Sequence, residues 1–383
     1  MGPAQLAVGL DARLLMSEPH PTGVGYYARE LARHVAPLVN LHLYTDGRGD
    51  APPASGAATA PEGWAAEPAT LHTARRWPGL PWQQTALVAG LWRQRLHLYH
   101  SPSFTLPRWA PCPTVVTIHD LAALTVPQWA NAANQRYLER MLPWAVRHAD
   151  RVITVSQRVR QELVTYFSLS AADARRIVAV GLGVDAARFH RQPPEAVAQL
   201  RRRLGLTDPY LVFVGTREPR KNLVRLVTAF NVARRRHPSA MLLLVGAPGF
   251  NTAALDQVVD RTPGVRVADY LPAADVPLVL QGAAALCYVS LYEGFGLPVL
   301  EAMALGTPVI TSAGTAMQDV SGGHAQYVNP LEVDSIAAAL DRVLSDPPAL
   351  QREAAEHMAY ARSLSWNRTA RETVLVYQQA SRR

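Results

Sequence analysis

The chain has 383 residues, 49% of them hydrophobic, with 38 Lys+Arg against 30 Asp+Glu for a formal charge of +8, and two cysteines. That length suits two domains with sizeable cores, and two distant cysteines, Cys112 and Cys287, exclude a disulfide scaffold and fit a reducing compartment. No run approaches the roughly 18 apolar residues of a membrane span, and MGPAQLAVGLDARLL lacks the basic segment of a signal peptide, so a soluble, cytoplasmic chain with an acidic partner is expected.

The first strand is read at LAVGL (6–10). A long loop, DARLLMSEPHPT, then delivers Gly23 and Gly25 to a helical run over 25–38. GVGYYA (23–28) fits the dinucleotide fingerprint, and Asp46 ends a strand at 41–45 about twenty residues on, so an NAD-dependent oxidoreductase is one reading. That fingerprint needs its first glycine in a tight turn directly after the strand, and here the loop intervenes. Glycine amides at a helix start also suit an anionic or sugar ligand, or serve a purely structural turn. A Pro/Ala/Gly-rich loop follows at 51–70. The run RRWPGLPWQQTALVAGLWRQRL (75–96) reads equally as a packed helix with a solvated face or as a surface that docks on anionic membrane. Strands are expected at 96–100, 114–120 and 151–156, with a helix at 134–149.

The segment RQPPEAVAQLRRRLGLTDP (191–209) reads as a hinge before a second set. Its strands are read at 210–216, 240–246, 265–271, 284–290 and 307–312, and its helices at 222–237, 297–306 and 334–345. Strands alternating with helices argue for parallel, doubly wound sheets in two domains, 1–190 and 191–383.

The stretch SLYEGFGLPVLEAMALGTPVITS (290–312) carries the densest chemistry. A strand ends near Ser290, a Gly-rich loop follows, and Pro298 falls in the first turn of a helix, where its missing N–H costs nothing. The free amides of Gly296 and Leu297 then suit a phosphate. Glu293 and Glu301 flank that site. Singly, each has a bland reading, as a loop residue and as a helix-dipole partner. Together they suit hydroxyl groups of a sugar and a ribose. Lys221, in VGTREPRKNL (214–223), is the only lysine of the chain. A coding bias toward arginine accounts for the other cations but leaves this exception unexplained.

Taken in order, TGVGYYARELA (22–32), TIHDL (117–121), ITVSQ (153–157), FVGTREPRKNL (213–223) and EGFGLPVLEAMALGTPVI, with seven residues between Glu293 and Glu301, resemble glycosyltransferase family 4 over nearly the entire chain. The resemblance implies the GT-B fold: two Rossmann-like parallel-sheet domains facing a cleft, the N-terminal one on the acceptor side and the C-terminal one binding a nucleotide sugar. It further implies that a last helix, about 365–383, packs back on the N-terminal domain. It is similar to bacterial mannosyl- and rhamnosyltransferases of polysaccharide assembly, which implies a retaining hexose transfer to a glycan or lipid-linked acceptor, with a GDP-sugar as first donor and a UDP-sugar as second. No separate cofactor is implied, and a peripheral contact with the inner membrane face is expected.

Residue by residue, Glu301 matches the carboxylate on the ribose, Glu293 the one near the donor sugar, and Gly294, Phe295, Gly296 and Leu297 the loop that meets sugar and phosphate. Gly23 and Gly25 match the loop covering the diphosphate, and His119 matches a histidine that reaches the transferred sugar, or else is a cap at a strand end. Departure of a nucleoside diphosphate builds negative charge that a metal or fixed cations must stabilise. The chain has no D-x-D, so Arg220 and Lys221 are expected to supply the charge, and no metal is expected. Many family members have Arg directly after the glycine where this chain has Thr216; Arg217 is the candidate substitute. A pyridoxal-phosphate phosphorylase and a non-catalytic two-lobed sugar-binding protein are the other readings, and no nucleic-acid motif is present.

Overall fold

The computed structural model describes residues 5–16, 23–46, 69–73, 80–126, 128, 132–346 and 353–382. The chain forms two units, Met1–Leu182 with Trp366–Arg383, and Gly183–Ser365. The first holds a seven-stranded sheet in the order β3-β2-β1-β4-β5-β6-β7. These strands are β1 (Ala7–Asp11), β2 (Asn40–Thr45), β3 (Ala69–Thr73), β4 (Leu98–Ser101), β5 (Thr114–Ile118), β6 (Arg151–Thr154) and β7 (Ile177–Ala179). Every pairing is parallel. The central strands β4 and β5 are buried along their whole length, as expected where helices cover both faces. Strand order reverses between β1 and β4, the place in such a sheet where ligands gather at the carboxyl ends. The helix Trp366–Ser381 belongs to this unit and packs on the helix Gly23–Val35.

The second unit holds a six-stranded sheet in the order β10-β9-β8-β11-β12-β13. Its strands are β8 (Tyr210–Val214), β9 (Met241–Val245), β10 (Val265–Ala268), β11 (Ala285–Tyr288), β12 (Val309–Ser312) and β13 (Gln326–Val328). All pairings are again parallel. The fully buried strands MLLLV, ALCY and VITS form its core, with helices Leu223–Arg234 and Leu297–Ala304 packed around it.

Two expectations are corrected by this arrangement. The run 191–209 is no open hinge: it contains the helix Pro194–Leu204, opened by Pro194 and closed by Gly205 at φ 61°. The division falls earlier, after Leu182, because Val184 bridges to Ser365 and so joins the second unit. The Arg/Trp run is described from residue 80, where it forms two helices, Leu80–Gln84 and Ala86–Arg93, with Trp82 buried. The loop read at 51–70 lies outside the described residues apart from its last two, which start β3.

Candidate active site

The lone lysine is placed by its backbone. After β8 the chain passes Gly215 and reaches a 3-10 turn, Pro219–Lys221, which Asn222 closes at φ 62°. Asn is one of the few side-chain-bearing residues that visits this left-handed region readily. Its amide donates to the carbonyls of Val289 at 3.1 Å and Pro330 at 2.7 Å, and the Leu291 amide donates to the Arg220 carbonyl at 2.8 Å. The loop after β8 is thereby stitched to the loop after β11.

This brings Lys221, Arg220 and Glu293 together. The Lys221 ammonium, 5% exposed, donates to one Glu293 oxygen and to the Tyr288 hydroxyl at 2.7 Å, and lies over the Tyr288 ring. Arg220 donates to the other Glu293 oxygen at 2.7 Å and to Glu218 at 2.9 Å. Tyr288 is in turn stacked flat on Phe213 of β8. Burial pushes the Glu293 carboxyl up, but Arg220 and Lys221 more than reverse this and hold it at about 2. The site is therefore two cations pinned by one carboxylate, with Lys221 and Glu293 buried and Arg220 partly exposed, and burial makes the inner pair act more strongly than in water.

Beside it begins the helix Leu297–Ala304, with Gly296 as its N-cap at φ 99°. A side chain there would meet Met317 Cγ at 2.8 Å, so glycine is required twice over, by backbone and by space. Phe295 is buried and Pro298 sits in the first turn. Gly294 to Leu297 thus form the bend that turns β11's exit into the helix and leaves its first amides without intrahelical partners. Glu301, one turn in, has its carboxyl raised by burial to about 7, with Arg188 drawing it down and Asp185 pushing it up. Arg188 packs over the Phe189 ring and donates to the Ala273 carbonyl at 3.2 Å.

Arg217 is not part of this cluster. Its guanidinium is buried and donates to the Gly246 carbonyl at 2.7 Å while pairing with Asp269 at 2.7 Å, an arrangement that ties β8 to the exits of β9 and β10.

The remaining candidates belong to the first unit. His119 follows β5; its Nε2 donates to the Pro102 carbonyl at 2.7 Å, which fixes the proton on Nε2 and leaves Nδ1 as an acceptor. Burial lowers its pKa to about 4, so the ring is neutral over the physiological range. Tyr27 stands edge-on to it at 4.7 Å and Phe104 lies at 5.5 Å. Gly23 opens the helix Gly23–Val35 and Gly25 is buried within its first turn. β1 ends at Asp11 and the helix Arg13–Met16 intervenes, so the glycines do not form the tight turn of a dinucleotide fingerprint, and the NAD reading fails on geometry.

Sequence reading missed Tyr288, Asn222, Arg188 and Asp185. Tyr288 ends an otherwise apolar strand and reads as core; Arg188 and Asp185 sit in a stretch assigned to the other domain. Among the described residues no group of three His, Cys, Asp or Glu is placed to hold a metal ion, and no helix is long and apolar enough to cross a membrane.

Comparison with known proteins agrees with this geometry. Residues 21–188 match the family model "Glycosyltransferase Family 4" and residues 198–362 match "Glycosyl transferases group 1". The O-antigen chain mannosyltransferase B of Escherichia coli is 32% identical over 288 residues, covering 73% of this chain and 74% of that protein. Among solved structures, sucrose-phosphate synthase from Thermosynechococcus elongatus superposes with a TM-score of 0.76 at 21% identity, over 98% of this chain and 99% of that one. HepE of Anabaena, solved in complex with UDP and glucose, gives 0.74 at 17% identity, over 98% and 100%.

Proposed function

The chain belongs to glycosyltransferase family 4, with two parallel-sheet domains of the GT-B class, and on that premise we propose that it moves a hexose from a nucleotide-diphosphate sugar to a glycan or lipid-linked acceptor, with retention and without a metal. Mannose or rhamnose from a GDP-sugar leads, in keeping with the mannosyltransferase relative, and a UDP-sugar follows. The observation that carries this reading is the Arg220–Lys221–Glu293 cluster beside the start of the helix Leu297–Ala304. Two fixed cations and a set of helix amides are what a departing diphosphate needs.

The residues take these roles. Lys221 and Arg220 neutralise the charge that grows on the leaving oxygen, one as a compact ammonium held against Tyr288 and Glu293 and the other as a planar fork. Glu293 holds both cations in register and presents carboxylate to the donor sugar. The amides from Gly294 to Leu297 meet phosphate and sugar. Glu301 accepts the ribose hydroxyls when ionised. His119, neutral with Nδ1 as acceptor, meets a hydroxyl of the transferred sugar, and Gly23 and Gly25 cover the diphosphate. Arg217, committed to Gly246 and Asp269, serves the fold. Exposed Trp92 and Trp109, with Arg93, Arg95 and Arg108 nearby in sequence, supply an aromatic and basic surface for anionic membrane bearing the acceptor.

A thermal-shift panel of GDP, UDP, ADP and dTDP, followed by incubation with the corresponding nucleotide sugars, tests the reading. Stabilisation by one of them and release of nucleoside diphosphate support it. Sugar binding without any donor breakdown would instead make this a non-catalytic two-lobed binder.

A further inference from the structure

A chain of hydrogen bonds runs through the core of the first unit. The Tyr377 hydroxyl meets His100 Nδ1 at 2.7 Å, His100 Nε2 meets the Thr117 hydroxyl at 2.9 Å, and Thr117 meets the Tyr27 hydroxyl at 3.0 Å. None of these four side chains is more than 1% exposed. They come from four elements: the helix Trp366–Ser381, β4, β5 and the helix Gly23–Val35. Packing alone would be met by apolar groups of the same size, at no desolvation cost. A fully satisfied polar network instead holds its four side chains in one placement and resists others.

Burial draws the His100 pKa down to about 3, so the ring carries one proton. If that proton is on Nδ1, the ring donates to Tyr377 and accepts from Thr117, which then accepts from Tyr27. If it is on Nε2, the ring accepts from Tyr377 and donates to Thr117, whose hydroxyl can donate to Tyr27 or accept from it as well. In either case the chain links Tyr377 to Tyr27, whose ring stands edge-on to His119. The same helix is tied to Tyr27 a second way: Trp366, its first residue, packs on Tyr26 at 6.0 Å and Tyr27 at 6.2 Å, and the residue before it, Ser365, belongs to the second unit. The point at which the chain re-enters the first unit therefore rests on the helix that Gly23 and Gly25 begin.

We propose that Tyr377 is a positioning residue for sugar transfer: through His100 and Thr117 its hydroxyl fixes Tyr27, and with it the plane of the His119 ring and the start of the Gly23–Val35 helix. The proposal rests on the reading above that His119 meets the transferred sugar.

Tyr377→Phe removes the hydroxyl and keeps the ring. Thr369→Val is the matched control, since Thr369 lies on the same helix and donates to the Gly181 carbonyl at 2.8 Å, outside the chain to His119. Thr117→Val cuts the chain at its middle with an isosteric residue. Turnover is followed as nucleoside diphosphate released from GDP-mannose or UDP-glucose, whichever the protein consumes, with melting temperature and the ¹⁵N signals of the His119 ring measured alongside. Tyr377→Phe and Thr117→Val should lower kcat roughly 10- to 100-fold, the scale of a misplaced contact, with a smaller change in KM for the donor and with the His119 ring signals shifted as Tyr27 loses its fixed place beside that ring. Thr369→Val should melt earlier to a similar extent and keep its kcat. Parental kcat in Tyr377→Phe and Thr117→Val, an equal loss in Thr369→Val, or an unmoved His119 signal would overturn the proposal. His119→Ala separates the two layers: its loss of turnover beside fully active Tyr377→Phe removes the positioning role alone, whereas full activity in His119→Ala removes the reading beneath it.

Discussion

Glu301 turns the proposed ribose contact into a pH-dependent affinity. Its carboxyl is raised to about 7 by burial, so it is roughly half ionised at pH 7 and about one-tenth ionised at pH 6. The ionised form is the one that can accept both ribose hydroxyls. Binding therefore draws on the deprotonated protein, and donor affinity should rise with pH through about 7 and level off above it. Between pH 8 and pH 6 the difference is about tenfold, or ~1.4 kcal/mol. Folding carries the opposite sign. A raised carboxyl favours the folded state while protonated, so that contribution is present below the unfolded value near 4.3 and is lost as pH rises through about 7. Calorimetry with an intact nucleotide sugar is the suitable assay, because its phosphodiesters do not titrate in this range. Binding at pH 6.5 should release a proton into the buffer, visible as a heat that varies with buffer ionisation enthalpy. Glu301→Gln should flatten the profile and cost roughly 1.5–3 kcal/mol, the scale of a charged hydrogen bond. A flat affinity from pH 6 to 8 with no proton release, or an unaffected Glu301→Gln, would remove Glu301 from the ribose site.

Lys221→Ala should lower turnover by about 10²–10³ with a smaller effect on donor binding, because the contact strengthens as the leaving group gains charge; parental activity would move that role to Arg220. Lys221→Arg should stay folded and still lose activity, since a longer, planar guanidinium moves the charge away from where the ammonium meets Tyr288 and Glu293; steady-state kinetics beside a melting curve decides this. Glu293 contributes stability above its unfolded value near 4.3 that is lost as pH falls toward about 2. In Lys221→Ala the acid-unfolding midpoint should therefore move to higher pH. Sugar transfer should survive excess EDTA, and complete loss restored by Mg²⁺ or Mn²⁺ would contradict the fixed-cation mechanism.

The core strands and the long helices were legible because parallel strands covered on both faces are continuous apolar runs, such as YLVFV and MLLLV, and their helices repeat at 3.6 residues. The short edge strands were not. Gln326–Val328 and Ile177–Ala179 have three residues each, too few to show a period. The helix Pro194–Leu204 hid behind its paired prolines, which read as a linker although proline is welcome at a helix start. In the site, Glu293 and Lys221 were found from charge and spacing. Their closeness was not, because it depends on Asn222 reaching Val289 and Pro330 across the fold. Arg217 shows the converse: a residue type suited to phosphate, one position from the expected place, is held by Gly246 and Asp269 instead.

A crystal structure with the nucleoside diphosphate selected by the thermal-shift panel decides whether Lys221 and Arg220 receive the leaving group. Terminal phosphate oxygens should lie within about 3.2 Å of Lys221 Nζ and the Arg220 guanidinium, with the ribose hydroxyls on Glu301. A diphosphate bound away from these cations, with the ribose elsewhere than Glu301, would contradict both assignments.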